Sequence, residues 1–552
     1  MPDRGADSSC RVRQQQEDTM FHQLLTPVGD ALLPSFLVAA IPIAVVLALL
    51  GVFRRPAWQA SLVGLIVAFI IAVTAWQVPA DIAASSVANG IVFAAWNVMW
   101  IVFSALVLYN IAVKSGRFDQ FRQWMLENLP NDRRLVLLVV GFSFGCLLEG
   151  VAGFGTPVAI TSALLIGLGF PVLEALTFTL IFNTAPVAFG ALGAPITVLG
   201  AVTHLSPLSL GMMVGRQLPF FALLLPFYVI ALYGGWRSVK ALWPALLVAG
   251  ASFALAQFTA SNYIDYQLTD VLASLFSLIV TIGFLKVWRP DADPAFAVDQ
   301  SKMVSGAART GWGGWVPWLI LSVVVIAWIR LKVPAMGAIN LPWPDLDKRI
   351  AITLYNDQPY GAIWSFQPLQ SGTAIFLTAI ITALWVRLSL ADFVGALIDT
   401  WIQIRIAIAT VCMIVGLAYI LNYSGMSYTL GKGVSSVGGI FPILSVFLGW
   451  LAVFLSGSDT SGNALFGNLQ VVAANQLGLN PTLMAAANSS GGVMGKMISP
   501  QNIATGVSVT ELKGREGEVF ARTFKHSIFL TFLLGVLVYL QQNYLQWMIP
   551  GS

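Results

Sequence analysis

F-G-C-L-L-E-G-V-A-G-F-G-T-P, Phe144 to Pro157, sets one carboxylate, Glu149, among glycines inside an otherwise apolar stretch. G-L-G-F-P follows, ending at Pro171, and then N-T-A-P-V-A-F-G-A-L-G-A-P from Asn183 through Gly190 to Pro195. The same order returns later in the chain. F-L-S-G-S-D-T-S-G-N from Phe454 holds Asp459, L-G-L-N-P ends at Pro481, and N-S-S-G-G-V-M-G-K-M-I-S-P runs from Asn488 through Gly495 to Pro500. Acid and proline are 22 residues apart in both copies, and the Asn-to-Gly and Gly-to-Pro steps are 7 and 5 in both. Only the middle link differs, 12 residues against 7. Chance recurrence in a glycine-rich chain is the plain alternative, but the matched acid and asparagine favour an internal duplication.

The surroundings of these segments are those of a polytopic membrane protein. Hydrophobic residues make up 57% of the chain and charged ones 10%, where soluble domains carry about 25% charged residues; mean hydropathy is +0.80. Runs long enough to cross the roughly 30 Å hydrocarbon layer fall near 33–53, 60–76, 88–112, 217–233, 241–258, 270–287, 313–330, 370–386, 400–422 and 526–547. Zones 135–210 and 440–510 resist division into simple spans. The longest polar stretches, 1–30, 289–312 and 331–369, are too short for a core of their own, so function is expected within the membrane. Residues 1–19 are polar and stop at Met20, a candidate native start. The first apolar run ends in Arg54 and Arg55 without a small-residue cleavage pattern and reads as a retained span.

Lysine and arginine fix an orientation. Short loops on one side hold nineteen of them and the alternating loops four. The positive-inside rule makes the rich side cytoplasmic, with both termini outside. Zone 135–210 then makes a net passage from inside to outside and zone 440–510 the reverse. The expected architecture is all-α, with two inverted-topology repeats containing broken helices or re-entrant hairpins and about 12 or more crossings. The organisation follows: a polar tail 1–30, a first repeat half 31–258, a connecting span and cytoplasmic loop 259–312, and a second half 313–552.

Interrupting a helix in the bilayer frees amides and carbonyls, which are costly in lipid unless they line a wet cavity or hold a ligand. Single glycines such as Gly141 and Gly145 serve close packing equally well. Ionisable groups at membrane depth need a partner or a task, and Glu149, Glu174, Arg216, Asp459 and Lys496 form that set. Glu149 and Asp459, beside glycine breaks, are the candidate proton carriers; permanent pairing with Lys496 or Arg216 is the structural alternative. Lys496 and Arg216 are candidates for an anion's carboxylate, with snorkelling the alternative for Arg216. Asn183, Asn488, Ser458, Thr460 and Ser461 supply neutral donors and acceptors. Sodium as the coupling ion stays open.

Other signals are weak. Cys10, Cys146 and Cys412 are scattered, and His22, His204 and His526 share no i,i+4 spacing, so no cofactor, redox centre or metal site is expected. S-G-G-V-M-G-K-M, Ser490 to Met497, lacks the leading glycine and the Ser/Thr of a phosphate loop. The net charge of +4 reports topology and not nucleic-acid binding. Trp96, Trp100, Trp312, Trp315 and Trp318, near span ends, suit interfacial belts.

The chain resembles the bacterial lactate permease family at G-F-x-F-G-x-x-L-E-G-x-A-G-F-G-x-P-V-A-I-T around Glu149, N-T-A-P-V-A-F-G-A from Asn183, G-R-Q-L-P at Arg216, G-S-D-T-S-x-N-A-L-F at Asp459 and G-K-M-I-S-P-Q at Lys496. The match runs from Met20 to the C-terminus. It implies proton-coupled uptake of L-lactate, D-lactate or glycolate across the inner membrane and no enzymatic activity, with the bilayer, protons and the hydroxy acid as partners. It assigns no roles to the named residues and no oligomeric state. A sodium-coupled organic-anion transporter, a passive anion channel and an intramembrane enzyme using Glu149 and Asp459 as an acid pair are the competing readings.

Overall fold

The computed structural model describes residues 20–153, 156–291, 293–298, 311–507, 510–512 and 515–551; the segment before Met20, and Gly155 of the first break, lie outside them. The apolar runs fold as helices: α1 (Leu32–Gly51), α2 (Ala57–Thr74), and α3 (Ala80–Lys114), which carries a π-helical stretch at Ala94–Met99. A short amphipathic helix, α4 (Arg117–Glu127), leads into the first glycine-rich zone. That zone comprises α5 (Arg133–Val151), α6 (Thr156–Gly167), α7 (Val172–Phe182) and α8 (Gly190–Thr203). Next come α9 (Pro207–Val214), α10 (Leu218–Thr259), α11 (Thr269–Val287), α12 (Val316–Arg330), α13 (Ser371–Trp385), α14 (Leu390–Ser424) and α15 (Met426–Val434). The second zone comprises α16 (Phe441–Ser456), α17 (Asp459–Leu477), α18 (Pro481–Lys496) and α19 (Pro500–Val507), and α20 (Glu516–Asn543) closes the helices. Nine helices among the described residues are long and apolar enough to cross a membrane.

The two spans expected at 217–233 and 241–258 run on as α10, turned at Gly235 (φ +67°, ψ −178°), a backbone only glycine adopts without strain. The loop 331–369 is more ordered than its polarity suggests. β2 (Ile339–Pro342) pairs antiparallel with β5 (Ile363–Phe366), while β1 (Phe21–His22) lies parallel to β3 (Ile350–Ile352), which pairs with β4 (Gln358–Pro359).

Both glycine-rich zones are broken. Gly153 (φ +52°) stands in the interruption after α5, the path bends by 66° at the break between Phe182 and Val187, and Ala191, Leu192 and Gly193 turn the start of α8 through left-handed conformations. Gly457 (φ +74°) separates α16 from α17, and residues 497–499 separate α18 from α19. The equal 22-residue spacing is spanned differently in the two copies. Glu149 ends the arm before a break, whereas Asp459 begins the helix after one.

Packing sorts the helices. α5 is buried along its whole length and apolar nearly all round, the pattern of a central helix. α1, α2, α10 and α14 turn Leu37, Ile66, Leu224 and Ile398 outward, as lipid-facing helices do. α16 and α18 meet backbone to backbone: a Cβ on Gly449 would lie 2.0 Å from the Asn488 carbonyl, on Gly491 2.1 Å from that of Val446, and on Gly495 2.2 Å from that of Trp450. These glycines serve helix packing. Trp315 and Trp318 are fully buried, Trp315 edge-on to Phe121 at 4.8 Å. They are core residues and not belt anchors, because the α4 loop folds over them; Trp312 is exposed.

Candidate functional site

The breaks bring the charged residues of the two zones together. Glu149, in the last turn of α5, meets Lys496, the last residue of α18, with Lys496 Nζ 2.5 Å from Oε1. Asn183, just past α7, donates to Glu149 Oε2 at 3.0 Å. Gly190 makes room for the carboxylate, since a Cβ there would lie 2.9 Å from Oε1. Both charged groups are buried, and a buried charge is tolerated when paired and hydrogen-bonded as these are.

Asp459 opens α17 behind the cap formed by Ser458, whose hydroxyl accepts from the Ser461 amide. Its Oδ2 accepts from Ser489 at 2.6 Å and from Asn463 at 3.3 Å, while Oδ1 has no hydrogen-bond partner among the described residues. Gly492 leaves the space for Oδ1; a Cβ there would be 2.3 Å away. Asn488 sits one layer behind, donating to Asn463 and accepting from Gln470. Glu149, Asp459, Lys496, Ser458 and Thr460 line a cavity of about 40 Å³ together with Gly190, Ala191 and Pro195 of the α8 turn.

Ala191 and Leu192 hold φ of 45° and 55°. Non-glycine residues in this region cost on the order of 1–3 kcal/mol each and gather at functional sites. α8 also lines a second cavity. Beyond Pro195, its Thr197 and Gly200 line a second space of about 540 Å³ with Asn89, Asn97, His204, Gln267 and Gln370, partly roofed by the β5 segment. The Thr197 and Tyr266 hydroxyls are 3.0 Å apart on its wall.

Of the residues singled out from sequence, Glu149, Asp459, Lys496, Ser458 and Thr460 face the small cavity, Asn183 supports Glu149, and Asn488 and Ser461 support the Asp459 region. Arg216 is elsewhere. Its guanidinium donates to Asn262 Oδ1 (2.8 Å) and to the Met548 carbonyl (2.9 Å), fastening the C-terminal segment to the turn before α10. Glu174 is part-exposed and 3.9 Å from Arg522, so it is not a deep charge. Sequence reasoning passed over Asn463 and Asp270. Asp270 is 1% exposed in the first turn of α11, and the signal available was an acid at the first position of the apolar run 270–287.

A bundle of long apolar helices, interrupted in two zones that meet at a buried ion pair, defines a polytopic membrane protein of transporter type. The chain belongs to the L-lactate permease family, whose model matches residues 35–545. It is 43% identical over 547 residues to the glycolate permease GlcA of Escherichia coli (strain K12), covering 94% of this chain and 97% of that protein. To the L-lactate permease of Bacillus subtilis (strain 168) it is 40% identical over 560 residues, covering 96% and 99%. The solved structure of Neisseria gonorrhoeae MtrF superposes with a TM-score of 0.47 at 16% identity, covering 90% of this chain and 97% of that one.

Proposed function

We propose that this protein is a secondary active transporter of the inner membrane that takes up L-lactate and related 2-hydroxymonocarboxylates, D-lactate and glycolate, together with protons. The observation that carries this reading is the buried Lys496–Glu149 pair beside Asp459 at the cavity, in a chain similar along nearly its whole length to proteins named glycolate permease and L-lactate permease.

The pair supplies a coupling chemistry. While Glu149 is ionised it holds the Lys496 ammonium. A proton on Glu149 removes that charge and frees Lys496 for the carboxylate of the incoming anion, so an anion and a proton enter as an electroneutral set. Asp459 offers a second proton site, its Oδ1 free of hydrogen bonds among the described residues. Ser458, Thr460, Asn183 and, one layer back, Asn488 and Ser461 set the polarity that reads the 2-hydroxyl. At about 40 Å³ the cavity has room for water, which needs roughly 10–15 Å³ of such space per molecule, and a hydroxy acid enters as Lys496 and Glu149 separate. The larger cavity beyond Thr197, lined by amides and hydroxyls, is the approach from the outside. Two inverted repeats, with both termini periplasmic, then rock about the site.

The test is accumulation of radiolabelled L-lactate in proteoliposomes under an imposed inward proton gradient, with sodium-gradient and no-gradient controls and excess glycolate, D-lactate and acetate as competitors. Proton-driven accumulation competed by the 2-hydroxy acids is the expected result. Equilibration without accumulation would replace the symporter with a passive pathway.

A further inference from the structure

Asp270 is a buried acid that the mechanism above does not use. Its Cβ and backbone pack against Gly150, the residue after Glu149: a Cβ on Gly150 would lie 2.7 Å from the Asp270 Cβ. Neither oxygen has a hydrogen-bond partner among the described residues. An ionised carboxylate so placed would bear the full desolvation cost with no compensating bond, and such a group takes up a proton instead. An acid in the first turn of a helix also suits the helix dipole, but that role needs a charge exposed to the amide ends, and among the described residues no amide donates to Asp270.

The groups around it are specific. Glu149 precedes the Gly150 that packs against it, and Lys496 is paired with Glu149. Cys146 lies one turn before Gly150 on α5, and Asp265 and Tyr266 precede Asp270 in the connection to α11. α8 carries no titratable residue; α10 carries Tyr228, Tyr233, Arg237 and Lys240 about its Gly235 turn, α12 has Arg330 at its end, and α11 itself has Lys286 in its last turn.

Below Asp270 the same face of α11 is polar. Ser274, Ser277 and Thr281 follow at four, seven and eleven residues, the spacing of one helix stripe, and all three are fully buried. Ser277 hydrogen-bonds Ser143 on α5 at 2.9 Å, while the hydroxyls of Ser274 and Thr281 have no partner among the described residues. The stripe runs from the Glu149 region toward the end of α11 that meets the lysine- and arginine-rich loop after Val287.

We infer that Asp270 is a proton-binding carboxyl of the transport pathway, protonated while Lys496 is engaged by Glu149, and that the Ser274, Ser277 and Thr281 stripe is its proton route toward the cytoplasmic end of α11. The inference rests on the symport reading for its role, though not for its protonation state.

Infrared difference spectra of the purified full-length protein, recorded at neutral pH in light and heavy water, test the protonation directly. A deuterium-sensitive carbonyl band of a protonated acid that is absent in Asp270→Asn and displaced in Asp270→Glu is expected; its absence from the wild-type protein overturns the inference. In proteoliposomes, Asp270→Asn is expected to lose most of the proton-driven accumulation while keeping lactate counterflow, which lowers the ratio of the two, with partial recovery in Asp270→Glu. Ser274→Ala and Thr281→Val, which bury no new polarity, are expected to slow proton-driven uptake more than counterflow. A wild-type ratio in all these variants overturns the transport role. If the wild-type protein itself shows no proton-driven accumulation, the symport reading falls, and the infrared bands still decide whether Asp270 carries a proton.

Discussion

Lys496 Nζ and Glu149 Oε1 are 2.5 Å apart although 347 residues separate them along the chain. Each residue ends a helix arm at a break, so the pair joins the two interrupted zones at the point where neither has continuous backbone to hold it.

Breaking that pair from one side leaves an unpaired buried charge, which costs about 3–5 kcal/mol. Lys496→Ala is therefore expected to destabilise the protein by that order and to abolish uptake. The double variant Glu149→Gln/Lys496→Met is expected to recover most of the stability and none of the transport. Unfolding midpoints in detergent measure this, and a Lys496→Ala protein as stable as wild type would contradict the pairing.

Two adjacent glycines should fail in different ways. A Cβ on Gly491 meets the Val446 carbonyl at 2.1 Å, backbone that cannot yield, whereas one on Gly492 meets the Asp459 Oδ1 at 2.3 Å, a side chain that can turn. Gly491→Ala is expected to lose about 1–3 kcal/mol by forcing α16 from α18. Gly492→Ala should be less destabilised and lose uptake by displacing the carboxylate. Comparing folded yield with uptake per folded molecule separates the two; equal loss of both in each variant would refute the distinction.

Arg216 fastens the C-terminal segment and does not line the acid cavity. Arg216→Met removes its bonds to Asn262 and the Met548 carbonyl and should cost about 1–3 kcal/mol, the scale for hydrogen bonds to charged groups. The KM for L-lactate in the folded fraction is expected to stay near the wild-type value. A large rise in KM with unchanged stability would return Arg216 to the substrate.

Burial lifts the Asp265 carboxyl, in the connection between α10 and α11, from 3.8 to about 6, against the opposing pull of the hydrogen bond from the Gln267 amide. The folded protein then binds more protons than the unfolded chain between those values, so this group makes stability fall as pH rises from about 4 to about 6. Asp265→Asn keeps an oxygen to accept from Gln267 and is expected to flatten that part of the stability profile. An unchanged slope would show that Asp265 is not its source.

The repeated acid, glycine and proline pattern made both broken zones legible, because glycine and proline act on the backbone locally, wherever the rest of the chain lies. Length and hydropathy likewise placed most spans, since crossing a bilayer sets a minimum apolar run. Gly235 was less legible: its turn depends on one positive φ, and the flanking runs read the same with or without continuous helix. The strands of the 331–369 region were not legible, because their pairing with Phe21–His22 and with each other is set by contacts distant in sequence.

By itself, the sequence determined that the protein is helical and membrane-embedded, that two zones are interrupted, and that Glu149, Asp459 and Lys496 stand at the interruptions. Only the tertiary structure decided which of these groups meet. It put Lys496 on Glu149, sent Arg216 to the C-terminal segment, and set Asp270 behind Gly150. Backbone breaks follow from local residue chemistry, whereas the partner of a buried charge depends on which helices are brought against each other by apolar packing over hundreds of residues.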